Sequence, residues 1–168
     1  LIHQSFKNLI IIGLRLQKFD KVKLYIEQYK GDIAENVCES VVAYYIGLLH
    51  FYKKEFSQAL QTLIAVSFIS KGYELGYKTI ILKCYYELNE EIALIDFSDS
   101  FQNYIRSQKN MNKAKQKGIL SFIQISAMIF RLKNGLKTRK TKAKIIQHLN
   151  EKTWISDKQW LLEKLEEL

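Results

Sequence analysis

GLLHFYKKEFSQAL, Gly47 to Leu60, sets one glycine and one alanine among bulky apolar side chains. A glycine inside a helix costs about 1 kcal/mol of propensity relative to alanine. That cost is offset where a neighbouring helix needs the space. Two helices joined by a tight turn approach closely only if small residues face each other and larger ones fill the gaps around them. The spacing predicts a helix ending near KKEF, a turn there, and a second helix beyond it. Gly47 and Ala59 are the spacers, and Phe56 packs back into the pair.

The helical pattern extends outward in both directions. Phe6, Leu9, Ile10 and Gly13 share one face, and Val22, Ile26 and Tyr29 another. Ala43, Ile46, Gly47 and His50 precede the turn; Ala59, Leu63 and Val66 follow it. Then come Tyr77, Ile80, Ile81 and Cys84, and, past ELNE, Ala93 or Leu94 with Phe97, Phe101, Tyr104 and Ile105. These are i, i+3, i+4, i+7 spacings, without the alternation of a strand. The chain has no proline and only seven glycines, so nothing breaks a helix outright. The expectation is an all-α chain of helix, short turn, helix.

The pattern repeats. Phe19 and Val22 recur as Phe56 and Ala59, 37 residues on, and Ala59 recurs as Ala93, 34 further. Phe6, Leu9 and Ile10 align with Ala43, Ile46 and Gly47, and these with Tyr77, Ile80 and Ile81. The period lies near that of a 34-residue helical repeat.

Ala43, Ile46, Gly47, Phe56, Ala59, Leu63 and Val66 resemble one tetratricopeptide repeat, the second unit, at about 41–70. Units at about 4–30 and 74–108 resemble it more weakly, since neither has both small residues. The fourth, 111–149, keeps only the helical period. The resemblance implies a single domain over 1–168, a right-handed α-solenoid of about four antiparallel hairpins. It also implies a non-catalytic scaffold that holds a protein or peptide in a concave groove lined by the first helix of each hairpin. Groove residues carried over by position are Lys7, Ile11 and Arg15; Tyr44, Leu48, Phe51 and Tyr52; Lys78, Leu82 and Tyr85; then Gln124, Met128 and Arg131. Aromatics interleaved with cations suit a peptide with acidic and apolar side chains.

At the C-terminus, Ser156 and Gln159 have the spacing of a capping box, with Ile155 and Trp160 as a hydrophobic staple. Residues 157–168 read as a helix capping the last hairpin, as solenoids require. The ending DKQWLLEKLEEL is similar to the close of some bacterial tetratricopeptide-like proteins. The first residue is Leu1, which suggests a piece of a longer chain.

Charge is uneven. The formal net charge is +9. Residues 1–100 carry 11 Lys/Arg and 12 Asp/Glu; residues 101–150 carry 12 Lys/Arg and no acid. The block is Arg106, Lys109, Lys113, Lys115, Lys117, Arg131, Lys133, Lys137, Arg139, Lys140, Lys142 and Lys144. Crowded like charges favour an acidic protein surface, or nucleic acid through its phosphates, as partner. A helical domain associated with nucleic acid is the alternative function.

No enzyme is expected. GxSxG, P-loop and GxGxxG motifs are missing. Glu87 and Glu91, four apart, share a helix face with Lys83, which reads as a solvated charged surface. The three histidines lack metal-ligand spacing, and no cofactor is expected. Cys38 and Cys84 read as free buried thiols of a reducing compartment, hence a cytoplasmic location. The apolar runs Leu9–Leu14 and Ile119–Phe130 fall short of the ~20 residues of a membrane span.

Overall fold

The structure, a computed structural model, describes residues 2–33, 35–66, 72–138, 140–152 and 154–168. Among them are nine α-helices and no strand: α1 (Ile2–Arg15), α2 (Phe19–Tyr29), α3 (Glu35–Tyr52), α4 (Phe56–Ile64), α5 (Glu74–Glu87), α6 (Glu91–Ser107), α7 (Lys113–Lys133), α8 (Lys142–Glu151) and α9 (Lys158–Glu166). The all-α expectation holds. Among the described residues, no helix is long and apolar enough to cross a membrane. The last residues of the second repeat unit, 67–70, and Arg139 of the basic block lie outside the described residues.

The chain divides into two compact units, Leu1–Leu88 and Asn89–Leu168. In the first, each helix touches the next, and α3 also touches α1 and α5. Its core holds Ile10, Leu14, Val22, Ile26, Leu63 and Leu82, all buried. The α3–α4 junction follows the reading of the opening stretch. Ala59 is fully buried. A Cβ added at Gly47 would lie 2.7 Å from Leu63 Cγ and Cδ2, so the helices approach as closely as glycine permits. Phe56 meets Phe51 edge-on at 5.4 Å between ring centroids. α4 ends at Ile64, so Val66 follows the helix rather than lying on its face.

Three turns share one backbone geometry and set a register between the helices around them. Gln17 (φ +55°), Lys54 (φ +62°) and Asn89 (φ +59°) are left-handed, and each sits two residues before the first residue of the next helix. At the first two, the hydrogen bonds make a Schellman motif: Gln17 N–H to Leu14 O and Lys18 N–H to Gly13 O, then Lys54 N–H to Phe51 O and Glu55 N–H to His50 O. Positions 17, 54 and 89 lie 37 and then 35 residues apart. The fourth residue of each following helix, Val22, Ala59 and Leu94, is fully buried. The counterpart of Ala59 is therefore Leu94, not the half-buried Ala93, and the second offset is 35 rather than 34. The first-helix alignment shifts with it, so Gly47 corresponds to Leu82.

In the second unit, α7 touches α6, α8 and α9, and α8 touches α9. Leu94, Phe101 and Ile105 from α6, Phe122 and Phe130 from α7, and Leu161 from α9 are buried. Asn112 caps α7, its side-chain oxygen accepting from the Ala114 and Lys115 amides at 2.8 and 3.3 Å. The capping box expected at Ser156 does not form. α9 starts at Lys158, its N-cap is Asp157 (φ +48°), and no side chain caps it. The Ser156 amide instead donates to Gly118 O of α7 at 3.4 Å. Trp160 packs against Phe122, ring centroids 6.0 Å apart.

Candidate functional site

The groove residues carried over from the repeat resemblance divide between the units. On α1, Lys7 and Arg15 are exposed and Ile11 is half-buried. Eight residues of helix separate the two cations by about 12 Å along the axis. On α3, Tyr52 is exposed, Tyr44 and Phe51 are half-buried, and Leu48 is buried. On α5, Lys78 and Tyr85 are half-buried and Leu82 is fully buried. Leu48 and Leu82 thus lie in the core rather than on a groove surface. In the second unit, Arg131 is exposed and Met128 half-buried on α7, while Gln124 donates to Gln102 Oε1 at 3.4 Å.

Tyr44 and Tyr45 belong to an aromatic cluster at the middle of α3. The Tyr44 ring lies 5.3 Å from Tyr45, 5.2 Å from Tyr73 and 5.5 Å from Tyr77. Gly76 makes room for it, since a Cβ there would meet the Tyr44 hydroxyl at 2.5 Å. Phe6 of α1 stacks on Tyr29 of α2 at 3.7 Å and meets Tyr45 edge-on at 5.3 Å. The cluster therefore joins α1, α2, α3 and α5. Tyr77 donates to Ser40 O at 2.6 Å, and the Tyr45 and Tyr73 hydroxyls share a hydrogen bond of 3.4 Å. Burial raises the pKa of Tyr45 and Tyr77 above the usual phenol value, so both remain neutral and act as neutral hydrogen-bonding groups.

The solvated face expected for Lys83, Glu87 and Glu91 does not form: Glu87 ends α5, Glu91 begins α6 beyond the left-handed Asn89, and Lys83 is buried. In the structural register it takes the place of Leu48, and it is buried on α5 with its ammonium 5.8 Å from the centre of the Phe51 ring. That geometry is a cation–π contact. A lysine on an apolar helical stripe, i+3 from Ile80, was the available signal.

The α3–α4 turn carries its own charge cluster. Glu55 lies 2.8 Å from Lys53 Nζ and 2.6 Å from His50 Nδ1. The hydrogen bond from Lys53, then that with His50, lowers the Glu55 pKa from its ordinary value. Cys84 is buried, and desolvation pushes its thiol up to about 12, which makes it unreactive at neutral pH. Cys38 is only half-buried, its thiol 3.7 Å from Lys30 O. Both cysteines are free. Among the described residues no three His, Cys, Asp or Glu side chains gather as a metal site.

In the second unit, the described cations of the basic block are exposed, Lys140 excepted. Lys113 and Lys115 sit in the first turn of α7 and Lys142 and Lys144 in that of α8, with no acid in either turn. Cations at the positive end of a helix dipole cost about 0.3–1 kcal/mol each.

No protein-family model, curated protein or solved structure matches this chain.

Proposed function

We propose that Leu1–Leu88 is a tetratricopeptide-like array of antiparallel helical hairpins, and that its work is non-catalytic binding of a protein or peptide. The observation that carries this reading is the recurrence of one junction. Within Leu1–Leu88 a first helix, a three-residue turn with a left-handed middle residue, and a second helix with a buried fourth residue occur twice, 37 residues apart, and the same turn geometry and buried fourth residue follow at Asn89 and Leu94, 35 residues on. The contacts of α3 with both α1 and α5 support it, because a groove needs its first helices side by side. α9, resting on α7 and α8, fits a terminal cap. The unbridged thiols fit a reducing, cytoplasmic setting.

The surface for the partner is made by exposed Lys7, Arg15 and Tyr52 with half-buried Tyr44, while the 35-residue offset takes Lys78 and Tyr85 out of line with them. Its cations and aromatic rings suit acidic and apolar side chains. A display library of acidic–apolar peptides selected on the whole chain tests this. Selected peptides lose binding to a Lys7→Glu, Arg15→Glu, Tyr52→Ala variant whose melting temperature is unchanged. Equal binding to both proteins overturns the groove.

A second reading rests on the basic block, where four cations crowd two helix N-termini. There the second unit binds nucleic acid through its phosphates. Its mark is DNA or RNA binding that falls steeply between about 50 and 200 mM salt. No binding at the lower salt overturns it.

A further inference from the structure

The outer face of α1 breaks the rule the next two first helices obey. The turn register makes Leu9 the counterpart of Ile46 and Ile81, and Ile12 the counterpart of Leu49 and Cys84. Ile81, Leu49 and Cys84 are 7%, 6% and 0% exposed and Ile46 is half-buried, yet Leu9 and Ile12 are 52% and 55% exposed. The neighbouring position behaves alike: Tyr45 and Ile80 are buried, whereas Asn8 is exposed. On α3 this face meets the hairpin before it, with Tyr45 against Phe6 of α1 and α2 touching α3. On α5 it meets α3 and α4, with Tyr77 against Tyr44. On α1 nothing among the described residues covers it, and Leu16, also exposed, extends the stripe by one turn.

We propose that the α1 face of Leu9, Ile12 and Leu16 is a docking surface for one further helical hairpin of the α1–α2 kind, packed as α1 and α2 pack on α3. The proposal rests on the array reading of the first unit and extends its interface by one step. The occupant is argued from continuity. The same face one and two repeats later is covered by a hairpin each time, and two large aliphatic side chains are exposed where their counterparts are buried or, at Ile46, half-buried. Exposed aliphatic stripes at helical spacing mark such surfaces. A second copy of this chain meeting the face about a two-fold axis fits less well. Arg15, three residues from Ile12 and exposed, would then approach its own twin.

The acceptor that most resembles α1 is α3, which offers Ile46 and Leu49 where α1 offers Leu9 and Ile12. The fitting probe is therefore the hairpin that packs on α3. One extra copy of residues 1–37, placed directly before Leu1 of the whole chain, reproduces the 37-residue spacing. The added hairpin is expected to raise the denaturation midpoint and the m-value. Protease should cleave it about tenfold more slowly than in the same extended chain carrying Leu9→Lys and Ile12→Lys in the parental α1. The unextended double variant should melt like the unextended parent, since both positions are exposed. Equal cleavage of the extension in both backgrounds overturns the proposal. So does sedimentation showing that the unextended chain is a dimer dissociated by the two lysines, because a second copy then occupies the face. The array reading is tested separately at Ala59 and Gly47, on α4 and α3, so either idea can fail alone.

Discussion

At Lys54 the backbone takes φ +62°, a conformation that costs a residue bearing a side chain about 1–2 kcal/mol. Glycine removes that strain but loosens the unfolded chain, which takes back about 0.4–1 kcal/mol. Lys54→Gly should therefore stabilise the protein by roughly 0.5–1 kcal/mol in urea denaturation. A loss of stability would mean that the lysine side chain supports the turn. Ala59 gives the opposite case. It is fully buried beside the Gly47 contact, so Ala59→Arg both overpacks and buries a charge, costing several kcal/mol, about 3 or more. A melting temperature within a degree or two of the parent would place Ala59 on the surface and refute the register. Gly47 and Ala59 were legible in the sequence because a small residue inside an apolar helical run leaves a gap that a close neighbour must fill. Lys83 was not legible as a core residue. Its type signals solvent, whereas in the fold its ammonium lies 5.8 Å from the centre of the Phe51 ring.

Among elements, the α3–α4 junction is held by charge as well as by shape. Glu55 accepts from Lys53 and meets His50, and its pKa is lowered. A carboxylate with a depressed folded pKa contributes stability above its unfolded value, about 4.3, and loses it as pH falls through the folded value. Glu55→Gln should therefore melt earlier than the parent at pH 7, and the gap should close in acid below about pH 4. A gap that persists unchanged into acid would assign the effect to something other than the ionised carboxylate. The same scale shows where local patterns misled. Ser156 and Gln159 have capping-box spacing, yet the Ser156 amide is drawn to Gly118 O of α7 and the helix starts two residues later. A tertiary hydrogen bond overrode a local one. The repeat offset of 35 was hidden because Ala93, a small residue, imitates Ala59 one position too early. The left-handed Asn89 corrects it.

For the molecule as a whole, the all-helical architecture was legible because apolar residues keep one period along most of the chain and no proline interrupts it. The candidate site was legible only in part. Resemblance placed Leu48 and Leu82 on a groove, but both are buried in the core. Lys7, Arg15 and Tyr52 keep their exposure. Charge was legible in the sequence as a sum, while its placement at the starts of α7 and α8 emerges only from the helix boundaries. The proposed repeat depends on the close approach of α3 and α4, with Gly47 making room for Leu63. A double-mutant cycle in urea tests this directly. Gly47→Ala should destabilise the parent by about 1 kcal/mol or more, overpacking outweighing the gain in helix propensity. In a Leu63→Ala background, where the clash is gone, the same substitution should be neutral or stabilise by up to about 1 kcal/mol. An equal cost of Gly47→Ala in both backgrounds would contradict the close α3–α4 contact, and with it the repeat.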